Sequence, residues 1–247
     1  MNHADSECSP AERLSWWELW PMLGWGVFVV YLYFEGRMVY FLRPAYGYLA
    51  VAGGVLLLAI FAYGWFLRWR SLRHEAASER APPRPPSVWY YVRSLAFLVP
   101  LVVGFSLPER GLNALAALQR GAGDPAMLAE LAARQQLVEA REERGYGWTT
   151  VLGVAQRLKS PKAQKVGALG FVVRDKKTPA DRFLLVRFLI TCCAADASPL
   201  AVPVRWPEAH TLENNQWVKV FGRTDPEAGI LAADKVEPTR EPDNPYM

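Results

Sequence analysis

Hydrophobic and polar positions follow different patterns in the two ends of the chain. Up to residue 107, long apolar runs are separated by short charged segments. From Lys165 onward, short runs alternate between apolar and polar residues, the pattern of half-buried strands. The pattern predicts an α+β membrane protein with N-terminal helices and a C-terminal sheet.

Three apolar runs predict transmembrane helices at about residues 16–35, 44–67 and 87–107. The second run, PAYGYLAVAGGVLLLAIFAYGWFL, carries no charge and can cross a hydrocarbon core of about 30 Å. The first run is shorter, but a pair of tryptophans extends it into the membrane interface. The third contains Arg93 near one end, from which its side chain can snorkel to the headgroups.

A cleaved signal peptide is the competing interpretation of the first run. A signal peptide begins with basic residues, but here Glu7, Glu12 and Glu18 are opposed only by Arg13. The following sequence, YFEGR, offers no small-residue cleavage site. A retained helix is therefore favoured.

The arginines predict the orientation of these helices. The loop between the second and third helices carries Arg68, Arg70, Arg73, Arg80 and Arg84, whereas the loop after the first carries only Arg37 and Arg43. Cytoplasmic loops carry an excess of Lys and Arg, so we expect the arginine-rich loop to face the cytoplasm. With three helices in the cell membrane, the N-terminus is then cytoplasmic and the C-terminal domain is extracytoplasmic. If the third run does not insert, the domain lies in the cytoplasm instead.

Residues 108–147 are rich in alanine and charge and predict a helical spacer. Asp124 can cap a helix there, Pro125 suits its first turn and Gly145 suits its end.

Residues 148–247 predict a small β domain. Its five candidate strands are KVGALGFVVR, RFLLVRFLITCC, LAVPVRW, QWVKVFGR and GILAADKV, with a short turn or helix after the third. This arrangement favours a closed, OB-like five-stranded barrel, with a split β-sandwich as the alternative. The tail EPTREPDNPYM is expected to be flexible.

The vicinal cysteines Cys192 and Cys193 end the second strand. A thiolate pair suits soft metals such as Cu(I) or Zn(II), and Asp196 would be a third ligand. Along a continuous strand the two side chains point to opposite faces. They can converge only if the strand ends near Thr191 and AADASP forms a turn.

The alternative to a metal site is a structural role for the pair. Strand parity places Cys192 with Leu184, Val186, Phe188 and Ile190, an apolar face expected in the core, and leaves Cys193 as a free thiol near the turn. This structural interpretation is favoured. A disulfide between the neighbours would be strained and therefore labile.

Three further residues have alternative roles. Asp196 can cap the turn through backbone N–H groups. Arg187 either lies over the barrel surface or pairs with an acid such as Asp196. Arg93 is a candidate functional charge within the membrane, although snorkelling is the simpler account.

Several function classes find no support. The chain has no HExxH, CxxC or glycine-rich phosphate motif, and no nucleophile–base pair or paired carboxylates can be placed, so we expect no enzyme. An OB barrel can bind nucleic acid. We expect no nucleic acid here, because the charge is nearly balanced and the domain is predicted outside the cytoplasm.

The segments GFVVRD, RFLLVRFLITCCAADASPLAVPV and QWVKVFG resemble a bacterial family of predicted permease subunits. The similarity covers residues 164–224 and extends more loosely to PLVVGFSLP at 100–108. Its most specific element is the TCCxxD motif, here with Cys192, Cys193 and Asp196. The resemblance implies N-terminal membrane helices, a C-terminal domain of unknown function and a larger integral membrane permease as partner. It implies no substrate.

The sequence thus leads to three functional hypotheses. The first is an accessory subunit of a two-component permease complex, embedded in the lipid bilayer, whose extracytoplasmic barrel binds or gates substrate. The alternative is a membrane-anchored metal or redox sensor that uses Cys192 and Cys193, with a soft metal ion as its cofactor. A purely structural anchor is the third.

Overall fold

The computed structural model describes residues 16–75, 88–106, 111–124, 126 and 141–247. The chain divides into two compact units. The helical unit comprises Met1–Val39 and Pro44–Glu109, and the barrel unit comprises Tyr40–Arg43 and Arg110–Met247. Cys8 and most of the arginine-rich loop lie outside the described residues.

The helical unit contains α1 (Trp16–Phe34), α2 (Pro44–Glu75) and α3 (Val88–Ser106). All three predicted helices are therefore present, but they do not all have the length and hydropathy of a membrane-spanning helix. Within the described residues only Pro44–Arg70 is long and apolar enough to cross a membrane, with a mean hydropathy of 2.1. The apolar parts of α1 and α3, Leu19–Phe34 and Leu95–Ser106, are shorter. At 1.5 Å per residue they reach about 24 Å and about 18 Å of a core of about 30 Å.

Small residues allow α1 and α2 to pack closely. A Cβ at Gly26 would lie 2.8 Å from the Leu58 side chain and 3.0 Å from the carbonyl oxygen of Gly54. A Cβ at Gly54 would in turn lie 3.2 Å from Val29. Such close backbone approach is typical of helix pairs in membranes. Lipid tails are as apolar as the helix surfaces, so helices associate through close van der Waals packing rather than through the hydrophobic effect.

Only the two ends of the predicted helical spacer, residues 108–147, are described. Residues 125 and 127–140, which hold most of the helix expected from Asp124, lie outside the described residues. A short helix, α4 (Ala114–Gln119), precedes them, and a hairpin follows them, formed by β1 (Arg141–Glu143) and β2 (Tyr146–Thr149). Gly145 (φ 78°) lies in the tight turn of this hairpin rather than at a helix end, because the turn requires positive φ.

The C-terminal region forms a closed five-stranded barrel, as the strand pattern predicted. Its strands are β3 (Lys165–Val173), β4 (Arg182–Leu189), β5 (Ser198–Arg205), β6 (Trp217–Asp225) and β7 (Ile230–Pro238). The order is β3-β4-β5-β7-β6, and β6 pairs back with β3 to close the barrel. β5 and β7 are parallel, while the other barrel pairs are antiparallel.

Strand β4 separates two apolar cores. Phe183 and Leu185 point into the barrel, whose interior is also packed by α5 (Val151–Leu158). Val186, Phe188 and Ile190 pack in a second core outside the barrel, together with α4 and Tyr246. The predicted core face of β4 is thus buried outside the barrel, and the opposite face fills its interior, because successive side chains alternate and both sides are covered.

The C-terminal tail is ordered, contrary to the prediction of a flexible segment. Met247 N–H donates to the carbonyl of Phe188 (2.9 Å), and Ile190 N–H donates to the carbonyl of Met247 (3.2 Å). Tyr246 is 3% exposed. These long-range bonds pair the tail with the end of β4. The polar composition of the tail does not indicate this pairing.

Candidate functional site

The cysteine turn, which we define as Thr191–Asp196, begins where β4 stops. β4 ends at Leu189, and Ala194–Asp196 form a single 3₁₀ turn. The condition for the two thiols to converge is therefore met. The Sγ atoms of Cys192 and Cys193 are 3.6 Å apart.

Asp196 folds the turn back onto its own start. Thr191 N–H donates to Oδ1 of Asp196 (3.1 Å), and Cys192 N–H donates to Oδ2 (2.8 Å). These two bonds are the capping interaction that the sequence predicts for Asp196. They also bring the carboxylate to the thiols: one ligand atom each from Cys192, Cys193 and Asp196 lie within 4.8 Å of one another and could hold a metal ion.

The exposure of the cysteines is the reverse of the prediction. Cys192 is exposed and Cys193 is half-buried. The prediction of Cys192 as a core residue is wrong because the chain leaves the strand before it, so the alternation that buries Phe188 and Ile190 no longer applies.

Hydrogen bonds within the turn place a proton on sulfur and a negative charge on the carboxylate. The hydrogen bond to Asp196, followed by that to Cys193, raises the pKa of Cys192 to about 11. The same thiol bond, together with backbone N–H donors, lowers the pKa of Asp196. Cys192 is therefore a protonated thiol and a poor nucleophile at neutral pH. It is hydrogen-bonded to the ionised carboxylate of Asp196.

A second segment completes the turn. The connector, Tyr40–Arg43, lies in the chain between α1 and α2 and belongs to the barrel unit. Leu42 forms an antiparallel bridge with Cys193. Arg43 N–H donates to the carbonyl of Cys192 (3.1 Å), and Ala194 N–H donates to the carbonyl of Phe41 (2.8 Å). Sequence reasoning missed this pairing, because a single short bridge leaves no periodic signal.

A cavity of about 300 Å³ lies beside the cysteine turn. It is lined by Arg43, Thr150, Leu152, Leu189, Ile190, Thr191 and Met247. The lining combines one cation and two hydroxyl groups with an apolar wall. The cysteine turn and the connector each contribute one of these residues, Thr191 and Arg43.

Arg187 supports the tail rather than the cysteine turn. Its guanidinium donates to the carbonyls of Asn244 (2.7 Å), Tyr246 (3.3 Å) and Pro245 (3.4 Å), and it lies 5.9 Å from the ring centre of Trp217. Burial lowers the pKa of this guanidinium. Of the two predicted alternatives, packing over the barrel surface or pairing with Asp196, the contacts of Arg187 fit the first. Its hydrogen bonds within the described residues go to the tail rather than to Asp196.

Arg93 lies within α3, and its side chain is outside the described residues. Its proposed role within the membrane stays a prediction.

No curated protein matches the chain, and no solved structure matches it. A comparison with protein-family models, in contrast, matches a C-terminal segment of the chain. This segment begins at the first residue of β2 and contains α5, the whole barrel and the cysteine turn, but not the helical unit. Residues 146–247 match a family model described as the DUF1980 C-terminal domain, a domain of unknown function.

Proposed function

We propose that this chain is an integral membrane accessory subunit of a two-component permease complex. Its barrel, which we interpret as OB-like from its strand order, would bind substrate or gate its access. The proposal assigns the chain no enzymatic activity and no nucleic-acid partner. Its partners are the lipid bilayer and a larger integral membrane permease.

The observation that carries this proposal is the connector. It belongs to the barrel unit and leads directly into α2, which begins at Pro44. If α2 crosses the membrane, the barrel lies on the face where α2 begins. Arg68, Arg70 and Arg73 lie at the other end of α2. Since arginine-rich ends favour the cytoplasm, we infer that the barrel is extracytoplasmic.

This arrangement requires α3 to cross the membrane as well. The chain leaves α2 on the arginine-rich side, and the barrel follows α3. α1 would cross likewise and leave the N-terminus in the cytoplasm. Their short apolar parts can be accommodated by local thinning of the bilayer or by interfacial flanking residues.

The outward surface of the helices supports docking within a membrane. Leu49, Leu56 and Tyr63 on α2 are 72%, 61% and 64% exposed, and Val102 on α3 is 64% exposed. Apolar surface of this extent is stable against lipid tails or against helices of another membrane protein.

Co-purification tests the proposal. The full chain and a larger permease of the kind that the resemblance implies should purify together from membranes that contain both. A photo-crosslinker at Leu49 or Leu56 should reach the permease, whereas one at Phe28, which is 9% exposed, should not. Failure of the two proteins to associate when both are expressed would overturn the proposal.

A second function, a membrane-anchored metal or redox sensor, is favoured by one observation. The backbone of Cys192, Cys193 and Ala194 bonds the connector directly. A change at the thiols would therefore act on residues covalently joined to α2. Thiol titration, metal analysis and amide exchange of the full chain test this function. Thiols that stay unreactive until denaturation, together with no bound metal, would end it.

A further inference from the structure

We propose that Cys192, Cys193 and Asp196 bind one divalent ion of the zinc class, in a tetrahedral site whose fourth position is left to an exogenous ligand. This proposal names the ion for the sensor function, but the site does not depend on docking with a permease.

The separation of the sulfur atoms selects the geometry. The two Sγ atoms are 3.6 Å apart. Two thiolates on a tetrahedral zinc ion, at about 2.3 Å from the metal, lie about 3.8 Å from each other. A linear two-coordinate ion would require about 4.6 Å at the same bond length. Tetrahedral coordination therefore needs almost no movement of the sulfurs.

Asp196 supplies the third ligand, and backbone hydrogen bonds fix the position of its carboxylate. Each carboxylate oxygen accepts one backbone N–H, from Thr191 and from Cys192. A carboxylate oxygen has two lone pairs, so each retains one for a metal. These N–H donors are the kind of outer-shell bonds that orient a metal ligand.

The ligand chemistry rules out hard cations. Calcium and magnesium require about six oxygen ligands, whereas this turn offers two sulfurs and one carboxylate. Two thiolates and a carboxylate fall within the ligand set of zinc and its neighbours in the transition series.

The proton and charge balance of binding is simple. The metal-free site carries two thiols and one carboxylate, with a net charge of −1. Binding of M²⁺ forms two metal–sulfur bonds and one metal–oxygen bond and releases two thiol protons to solvent. The loaded site has three negative ligands and two positive charges, so its net charge is again −1. The hydrogen bond from the Cys192 thiol to Asp196 is replaced by their shared bond to the ion.

The competing outcome for the pair is oxidation. A disulfide requires the sulfurs to approach from 3.6 Å to about 2.05 Å, so the turn must distort. Metal binding requires no such change.

Titration of the reduced full chain in detergent with Co²⁺ tests the proposal. We expect saturation at one ion per chain, the intense d–d bands of a tetrahedral site with sulfur-to-metal charge transfer, release of two protons and displacement by Zn²⁺. Cys192→Ser and Cys193→Ser should each weaken binding by more than about a hundredfold, beyond the effect of an outer-shell change. Asp196→Asn should weaken it at least about tenfold.

Two controls keep the test decisive. Cys8→Ser should bind as the unchanged chain does. Amide exchange of buried barrel residues such as Val172 and Leu185 should be the same in every variant, which separates loss of ligands from loss of fold. No saturable binding, an octahedral spectrum, half an ion per chain, or binding retained in both cysteine variants would overturn the site. None of these results depends on whether a permease co-purifies.

Discussion

The Asp196 carboxylate shapes the cysteine turn through its hydrogen bonds. It accepts bonds from the backbone N–H groups of Thr191 and Cys192 and from the Cys192 thiol. The carboxylate therefore shapes the turn and also decides where the nearest proton lies.

Asp196→Asn should make metal-free Cys192 more reactive towards iodoacetamide. Cys192 has a pKa of about 11, chiefly because of its bond to Asp196, so less than about 1% is thiolate at pH 8. Removal of the carboxylate lowers this pKa towards the ordinary value and raises the thiolate fraction. Part of the gain is offset because a less basic thiolate is less nucleophilic, which leaves an acceleration of about tenfold.

Site-resolved mass spectrometry of the Cys8→Ser chain measures this rate from pH 7 to 11. Asp181→Asn, which removes an exposed acid elsewhere in the barrel unit, is the control and should leave the rate unchanged. An equal rate in the Asp196 and Asp181 variants would show that Asp196 does not hold the Cys192 proton.

At the scale of elements, the end of β4 is defined by its neighbours. Ile190 bonds to the tail through Met247, and Cys193 pairs with the connector through Leu42. β4 thus passes from the barrel ladder to a three-way junction with the tail and the connector. The turn that brings the thiols together is a consequence of this change of partner.

Arg187→Lys should loosen the tail. A guanidinium reaches three carbonyls at once, whereas an ammonium on a flexible stem holds them less well, so we expect a loss of about 2 kcal/mol. Faster amide exchange at Met247 and Ile190 would report it. Arg182→Lys, on the same strand but exposed, should have no such effect. Unchanged exchange in the Arg187 variant would contradict its anchoring role.

Gly26→Leu should separate α1 from α2, whereas Gly53→Leu should not. A side chain at Gly26 would meet Leu58 and the Gly54 backbone, but nothing lies within 4 Å of a Cβ at Gly53. Overpacking of this kind costs about 1–3 kcal/mol. The expected result is a lower thermal midpoint of the helical circular dichroism signal in detergent for the Gly26 variant alone. Equal midpoints for both would contradict the observed packing.

At the scale of the whole molecule, the connector links membrane topology to the barrel. The barrel unit includes four residues that immediately precede α2 as well as the long C-terminal segment. In the proposed topology both parts lie on one face of the membrane. The number of helices between them that cross must therefore be even, which gives the topology a sharp test.

Reporter fusions should place residue 75 and residue 247 on opposite faces of the membrane. A fusion after residue 75 should report the cytoplasm, and one after residue 247 the extracytoplasmic side, because α3 returns the chain. The reporter pair is a periplasm-active enzyme and a cytoplasm-active fluorescent protein. If both positions report the same face, α3 does not cross and the proposed orientation is wrong.

The elements that depend on local pattern could be predicted from the sequence. The three helices follow from apolar runs, and the five barrel strands follow from alternation and turn residues, because both signals are carried by neighbouring residues. The capping role of Asp196 is also local, since a carboxylate bonds N–H groups a few residues away.

The remaining features required the tertiary structure, because they arise between residues that are far apart in sequence. The burial of the outer face of β4 depends on α4 and Tyr246, and the order of the tail depends on Arg187. The exposure of Cys192 depends on where β4 exchanges its barrel partner for the tail and the connector. The sequence by itself determined that two thiols and a carboxylate occur together. Only the folded chain decided that they face one point.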